Sequence, residues 1–181
     1  MRMNGAKFQA LRQGALFGIP LGALLILNEA LILAFDPDAF ILVADPGVLG
    51  SPRVVGAFLI SYATLAPCLL AYIVAGWRAS YVTSRISTGM AAGLVTGALS
   101  SIINGAGVLV MWLTHLDTIA QEAQIWSLLK FTTDRVLSQR IAELILGLAL
   151  AIVFGLACGA FGGKIGKERK RLALAPAVQA S

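Results

Sequence analysis

Apolar residues fall into four long runs, roughly Ala15–Phe35, Val54–Val74, Gly89–Leu113 and Ile141–Phe161, with charged stretches between them. Each run has about 21–25 residues, enough to cross roughly 30 Å of hydrocarbon at about 1.5 Å per helical residue. The apolar–polar alternation of a β-barrel strand is missing, and an open strand in lipid would leave its backbone unpaired. The pattern therefore predicts an all-α polytopic membrane protein, a four-transmembrane-helix bundle. It forms one domain over residues 1–163, followed by a basic cytoplasmic tail over 164–181.

The segments between the runs carry weaker signals. Asp36–Arg53 has turn markers at Asp36-Pro37 and Asp45-Pro46-Gly47. Thr114–Arg140 is longer, and Thr118 and Gln121 have capping-box spacing. Beyond them Ile125, Trp126, Leu129, Val136 and Leu137 fall near one helical face, predicting an amphipathic helix on the membrane surface. Residues Leu172–Ser181 read as a short disordered end.

Composition agrees with the pattern. The 181 residues are 58% hydrophobic and 13% charged, about half the charge of a soluble domain. The net charge of +5 suits nucleic acid in principle, but the basic residues flank apolar runs, so no nucleic acid is expected. Their distribution predicts orientation. Ten lysines and arginines fall on the side of the termini, and four fall on the other side. By the positive-inside rule both ends are cytoplasmic, in a cell membrane of the bacterial inner-membrane type. Trp77 and Tyr81 at the inner face, and Trp112 at the outer, stand where interfacial aromatics are expected. Arg2, Lys7 and Arg12 before the first run imitate a signal peptide, but the run exceeds the roughly 7–15 residues of such a core and is read as a retained span.

Small residues recur at every fourth position in two runs: Gly89, Gly93, Gly97, Ser101 and Gly105, then Gly147, Ala151, Gly155, Gly159 and Gly163. Lipid supplies no hydrophobic force between helices, so close backbone approach drives much of their association. Antiparallel pairing sets Gly89 level with Gly163, Gly93 with Gly159, Gly97 with Gly155 and Gly105 with Gly147. A tight contact between the third and fourth spans is expected, either as static packing or homo-oligomerisation, or as a surface that slides. Gly14, Gly18 and Gly22 form a shorter row. A shift of 75 residues places it on Gly89, Gly93 and Gly97, hinting at a duplicated helical hairpin with an axis along the membrane normal.

Polar residues inside the runs are the functional candidates. Glu29 stands about 9 Å deep by helical rise, with Asn28 beside it. Asn104, Ser100 and Ser101 on the third span, and Ser61 and Tyr62 on the second, complete a possible polar layer. Removing a carboxylate from water penalises its charged form, which suits it to proton exchange or to pairing with a cationic solute. Its structural role would be to hydrogen-bond a neighbouring helix. Glu143 is expected to pair locally with Arg140, three residues earlier. Pro20 and Pro67 interrupt helical hydrogen bonding.

Cys68 and Cys158 read as small buried hydrophobes. His115 has no companions at ligand spacing, so no metal and no cofactor are expected. No nucleophile–base pair and no phosphate-cradling loop is present in the sequence.

The basic run from Lys164 to Arg171 anchors the last span and offers charge to anionic lipid. The expected role is non-enzymatic: an accessory or packing subunit, or a self-associating component with a homo-oligomeric or membrane-complex partner. The alternative is a small transporter or channel using Glu29 and Asn104. A lipid-acting membrane enzyme ranks third, for want of a residue set.

Overall fold

The computed structural model describes residues 5–35, 52–126 and 133–179, with side chains described for 5–32, 63–114, 138 and 141–173. Four helices account for all of these but one two-residue turn: α1 (Gly5–Phe35), α2 (Pro52–Thr83), α3 (Ile86–Trp126) and α4 (Thr133–Gln179). All four are long and apolar enough to span a membrane. The chain is a multi-pass integral membrane protein built as an all-α bundle.

The helices outrun the apolar stretches, because good helix formers continue past the hydrocarbon boundary. Two expectations fail for this reason. Thr118 and Gln121 lie inside α3 rather than at the start of a separate surface helix, Val136 and Leu137 belong to α4, and Leu129 lies outside the described residues. Likewise the basic tail is helical, with α4 reaching Gln179 where disorder was expected.

Around the bundle the order is α1, α3, α4, α2. Each packs on its neighbours, and α2 also packs on α3 across the diagonal. The other diagonal pair, α1 and α4, has no comparable contact among the described residues. A two-fold axis along the normal would make α1–α4 equivalent to α2–α3. That inequality removes the symmetric duplication suggested by the 75-residue shift.

The interior is small rather than greasy. Ala75, Ala79, Ala92, Ser80, Thr96 and Ser100 are completely covered, while Leu16, Leu27, Leu70, Ile145 and Val153 face outward. Leucines gain nothing by leaving lipid, so small residues take the contacts and let backbones approach. The buried hydroxyls satisfy themselves locally: Thr96 Oγ1 donates to the Ala92 carbonyl at 2.8 Å, and Ser100 Oγ to the Gly97 carbonyl at 3.1 Å.

The α3–α4 contact is real over most of its length. An alanine methyl at Gly93 would overlap the Gly155 carbonyl and stand 2.7 Å from the Gly159 Cα, and one at Gly89 would stand 2.8 Å from the Gly163 Cα. The register differs slightly from the expected pairs. Gly97 abuts the Ala151 carbonyl, and Gly155 the Gly93 carbonyl, so each glycine sits between two residues of the partner helix. The row then ends early. A methyl at Gly105 would meet only a Leu144 methyl at 3.7 Å, and one at Gly147 would meet nothing within 4 Å. Gly105 and Gly147 do not pack against each other, contrary to expectation. Val108 and Trp112, both buried, pack beside Met111 and Leu144 at this level and fill the space between the helices. Trp112 is therefore packed within the bundle.

Other glycines hold the opposite end together. Gly14, Gly18 and Gly22 of α1 pack on Val95, Thr96 and Ile103 of α3. Gly76 meets Gly159, Gly162 meets the Ile73 carbonyl, and Gly166 meets the Trp77 carbonyl, which binds α2 to α4. At that end the two-residue turn between α2 and α3 places Ser84 at φ 60°, and its N–H donates to the Ser80 carbonyl at 2.7 Å. Ser80 Oγ donates to the Arg85 carbonyl, and Lys170 Nζ to the Val82 carbonyl at 3.0 Å. Two of the last carbonyls of α2, those of Ser80 and Val82, thus have partners. The bundle is closed at its basic end and parted at the other.

Candidate solute cavity

Where the α3–α4 contact stops, a cavity of about 390 Å³ lies among all four helices. Each helix lends one face at helical spacing. Leu25 and Glu29 come from α1, and Leu65, Cys68, Leu69 and Tyr72 from α2. Ser101, Asn104 and Val108 come from α3, and Glu143, Gly147, Ala151 and Phe154 from α4. From Ala151 to Glu143 the wall runs about 12 Å along α4. Exposed Gly147 contributes no side chain, and that leaves room opposite Asn104.

The polar groups are chiefly acceptors. Glu29 and Glu143 bring a carboxylate each, and no lining residue among those described is basic. The Asn104 Oδ1 is sealed from solvent without a hydrogen-bond partner. Such an orphan acceptor costs about 1–3 kcal/mol, which a donor placed in the cavity would offset. Tyr72 closes the deeper end. It is buried. The remaining wall is aliphatic and aromatic. A volume of this size lies within the roughly 300–1,000 Å³ of small-molecule sites, and mostly apolar walls with few polar groups are typical of them.

No protein family, curated protein or solved structure matches this chain. Its site must be read from its own residues.

The structure brings together three of the sequence candidates, Glu29, Ser101 and Asn104. Asn28 is half-buried but does not line the cavity, and the Tyr62, Ser61 and His115 side chains lie outside those described. Glu143 is the main addition. It lines the cavity, and the local pair expected with Arg140 involves a side chain that lies outside those described. The signal was present: Glu143, Gly147 and Ala151 are four apart and share a face. Tyr72 and Cys68 were missed because α2 carries no glycine row to mark its inward face. Among the described residues no three potential metal ligands gather.

Proposed function

We propose that the chain is a small, non-enzymatic membrane transport protein, or the solute-binding part of one, and that its cavity takes a cationic, partly apolar solute. One observation carries this reading: carboxylates from α1 and α4, the pair of helices with the least packing among the described residues, line one cavity. A cation between them would bridge the unpacked diagonal, with its hydrogens on Glu29, Glu143 and the Asn104 amide oxygen. The closed basic end supports the reading, since a carrier needs one sealed side at a time. By the distribution of lysine and arginine, the cavity faces the exterior in this arrangement.

The test is uptake of a panel of organic cations into liposomes containing the purified protein. Glu29→Gln and Glu143→Gln should each reduce uptake at least about tenfold, the worth of one charged hydrogen bond. Uptake of none of the cations, or uptake indifferent to both substitutions, overturns the proposal.

A second reading, an accessory subunit of a larger membrane complex, draws on the far half of α4, where Ile145, Leu146, Leu150 and Val153 are all exposed. Under that reading the chain co-purifies with a partner, and bulky polar substitution at Ile145 releases it.

A further inference from the structure

The basic end holds a second cavity, unrelated to the first. It measures about 210 Å³ and lies between α1 and α2, lined by Gln13, Trp77, Arg78, Tyr81 and Val82. Two polar atoms there are buried without hydrogen-bond partners: the Trp77 Nε1, which is a donor, and the Gln13 Oε1, which is an acceptor. Burying an indole N–H and an amide oxygen unpaired costs about 1–3 kcal/mol each. A ligand carrying both an acceptor and a donor would relieve both.

The surrounding side chains are held in place. Trp77 is backed by Gly166, where a methyl would stand 3.1 Å from the ring, and by Arg169, whose guanidinium lies 6.0 Å from the ring centroid. Arg78 lies 6.0 Å over the Phe17 ring of α1, and Lys170 is tied to the carbonyl of Val82. Arg78, the one cation among the described lining residues, and the N–H make a setting for an anion, and no described acid lines the cavity. The lining aromatics, Trp77 and Tyr81, are the residues that settle at a membrane–water boundary.

We infer that this cleft binds the headgroup of an anionic phospholipid bearing hydroxyls, phosphatidylglycerol being the simplest. The phosphodiester accepts from Trp77 Nε1 and the Arg78 guanidinium, and a headgroup hydroxyl donates to Gln13 Oε1. The site is the α1–α2 cleft rather than the basic tail, so it differs from diffuse attraction of lipid to surface charge. A bound lipid would fill the inner gap between α1 and α2 as the glycines fill those between α3 and its neighbours.

The experiment is native mass spectrometry of the full-length protein titrated with phosphatidylglycerol, phosphatidylcholine or inorganic phosphate. One phosphatidylglycerol should bind at least about tenfold more tightly than phosphatidylcholine, and inorganic phosphate should not displace it. Trp77→Phe, which keeps a ring but removes the N–H, and Arg78→Gln should each weaken that binding roughly five- to tenfold. Arg171→Gln, an exposed tail charge, should change it less than about twofold. Circular dichroism melts in phosphatidylcholine confirm that the variants are folded. Equal binding of the two lipids overturns the anionic-headgroup site, and equal losses from Arg171→Gln and Arg78→Gln overturn it in favour of diffuse charge. Displacement by inorganic phosphate overturns the lipid assignment.

Discussion

Alanine in place of Gly93 and alanine in place of Gly147 are the same chemical change on two facing helices, and the structure gives them opposite signs. At Gly93 the new methyl would stand 2.7 Å from the Gly159 Cα and overlap the Gly155 carbonyl. Both are backbone atoms and cannot rotate away. Restoring an ordinary 3.4 Å from the Cα alone requires α3 and α4 to part by about 0.7 Å, and clearing the carbonyl requires more. A gap of that size forfeits about a quarter to a half of each dispersion contact, itself about 0.1–0.2 kcal/mol. Over about twenty-five atom pairs the loss is roughly 1–2 kcal/mol, and residual strain of about 1 kcal/mol adds to it. Helix propensity returns about 1 kcal/mol at either position. Gly93→Ala should therefore destabilise by about 1–2 kcal/mol. At Gly147 the methyl meets nothing within 4 Å, so only the propensity gain remains. Thermal melts in detergent should place the two variants roughly 4–10 °C apart, with Gly147→Ala at or above the parent. Equal melting temperatures, or the reverse order, would refute the close approach of the two helices and the early end of their contact.

Two further outcomes follow from single side chains. Ser84 occupies the left-handed region at φ 60°, so Ser84→Gly should raise stability by about 0.5–1 kcal/mol, read as an upward shift of the melt; a fall would mean that the turn depends on the serine side chain. Trp112 is buried between α3 and α4, and Trp112→Ala should cost about 3–5 kcal/mol if the gap stays open and less if the helices close on it. Closure would also shrink the cavity, so binding of any cation found in the uptake assay should weaken together with a mild loss of stability.

Hydrophobic run length was enough to read four helices, because a bilayer imposes one dimension and one backbone solution on any spanning segment. Small-residue spacing was enough to pair α3 with α4 near Gly89, Gly93, Gly159 and Gly163. It failed at Gly105 and Gly147 because spacing records where a close approach is permitted and not where neighbouring bulk prevents it. Val108 and Trp112 supply that bulk, and they stand off the glycine row. The α2–α4 contact escaped notice for a related reason. Gly162 and Gly166 form a second face of α4, one residue out of step with Gly159 and Gly163, and their partners on α2 are mostly backbone carbonyls. Glu29, Ser101 and Asn104 were legible because polar atoms in lipid are costly wherever they sit. Glu143 was not, since proximity to Arg140 in sequence suggested a cheaper local explanation.

The position of the cavity follows from the order of the helices. In a ring of α1, α3, α4 and α2, a close α2–α3 diagonal keeps α1 and α4 apart. At the basic end, glycines on α2, α3 and α4 let three backbones converge on Gly76, Gly89, Gly159 and Gly163. Convergence at one end and bulk at the other make the helices diverge, and divergence opens space first beside the pair least packed among the described residues. Glu29 and Glu143 belong to that pair, one on each helix. The carboxylates therefore stand where the bundle is easiest to deform. Binding between them would act directly on the α1–α4 separation, while Gly14, Gly18 and Gly22 hold α1 close against Val95, Leu99 and Ile103 of α3. A charge placed on any other two helices would have to work against an interface already packed.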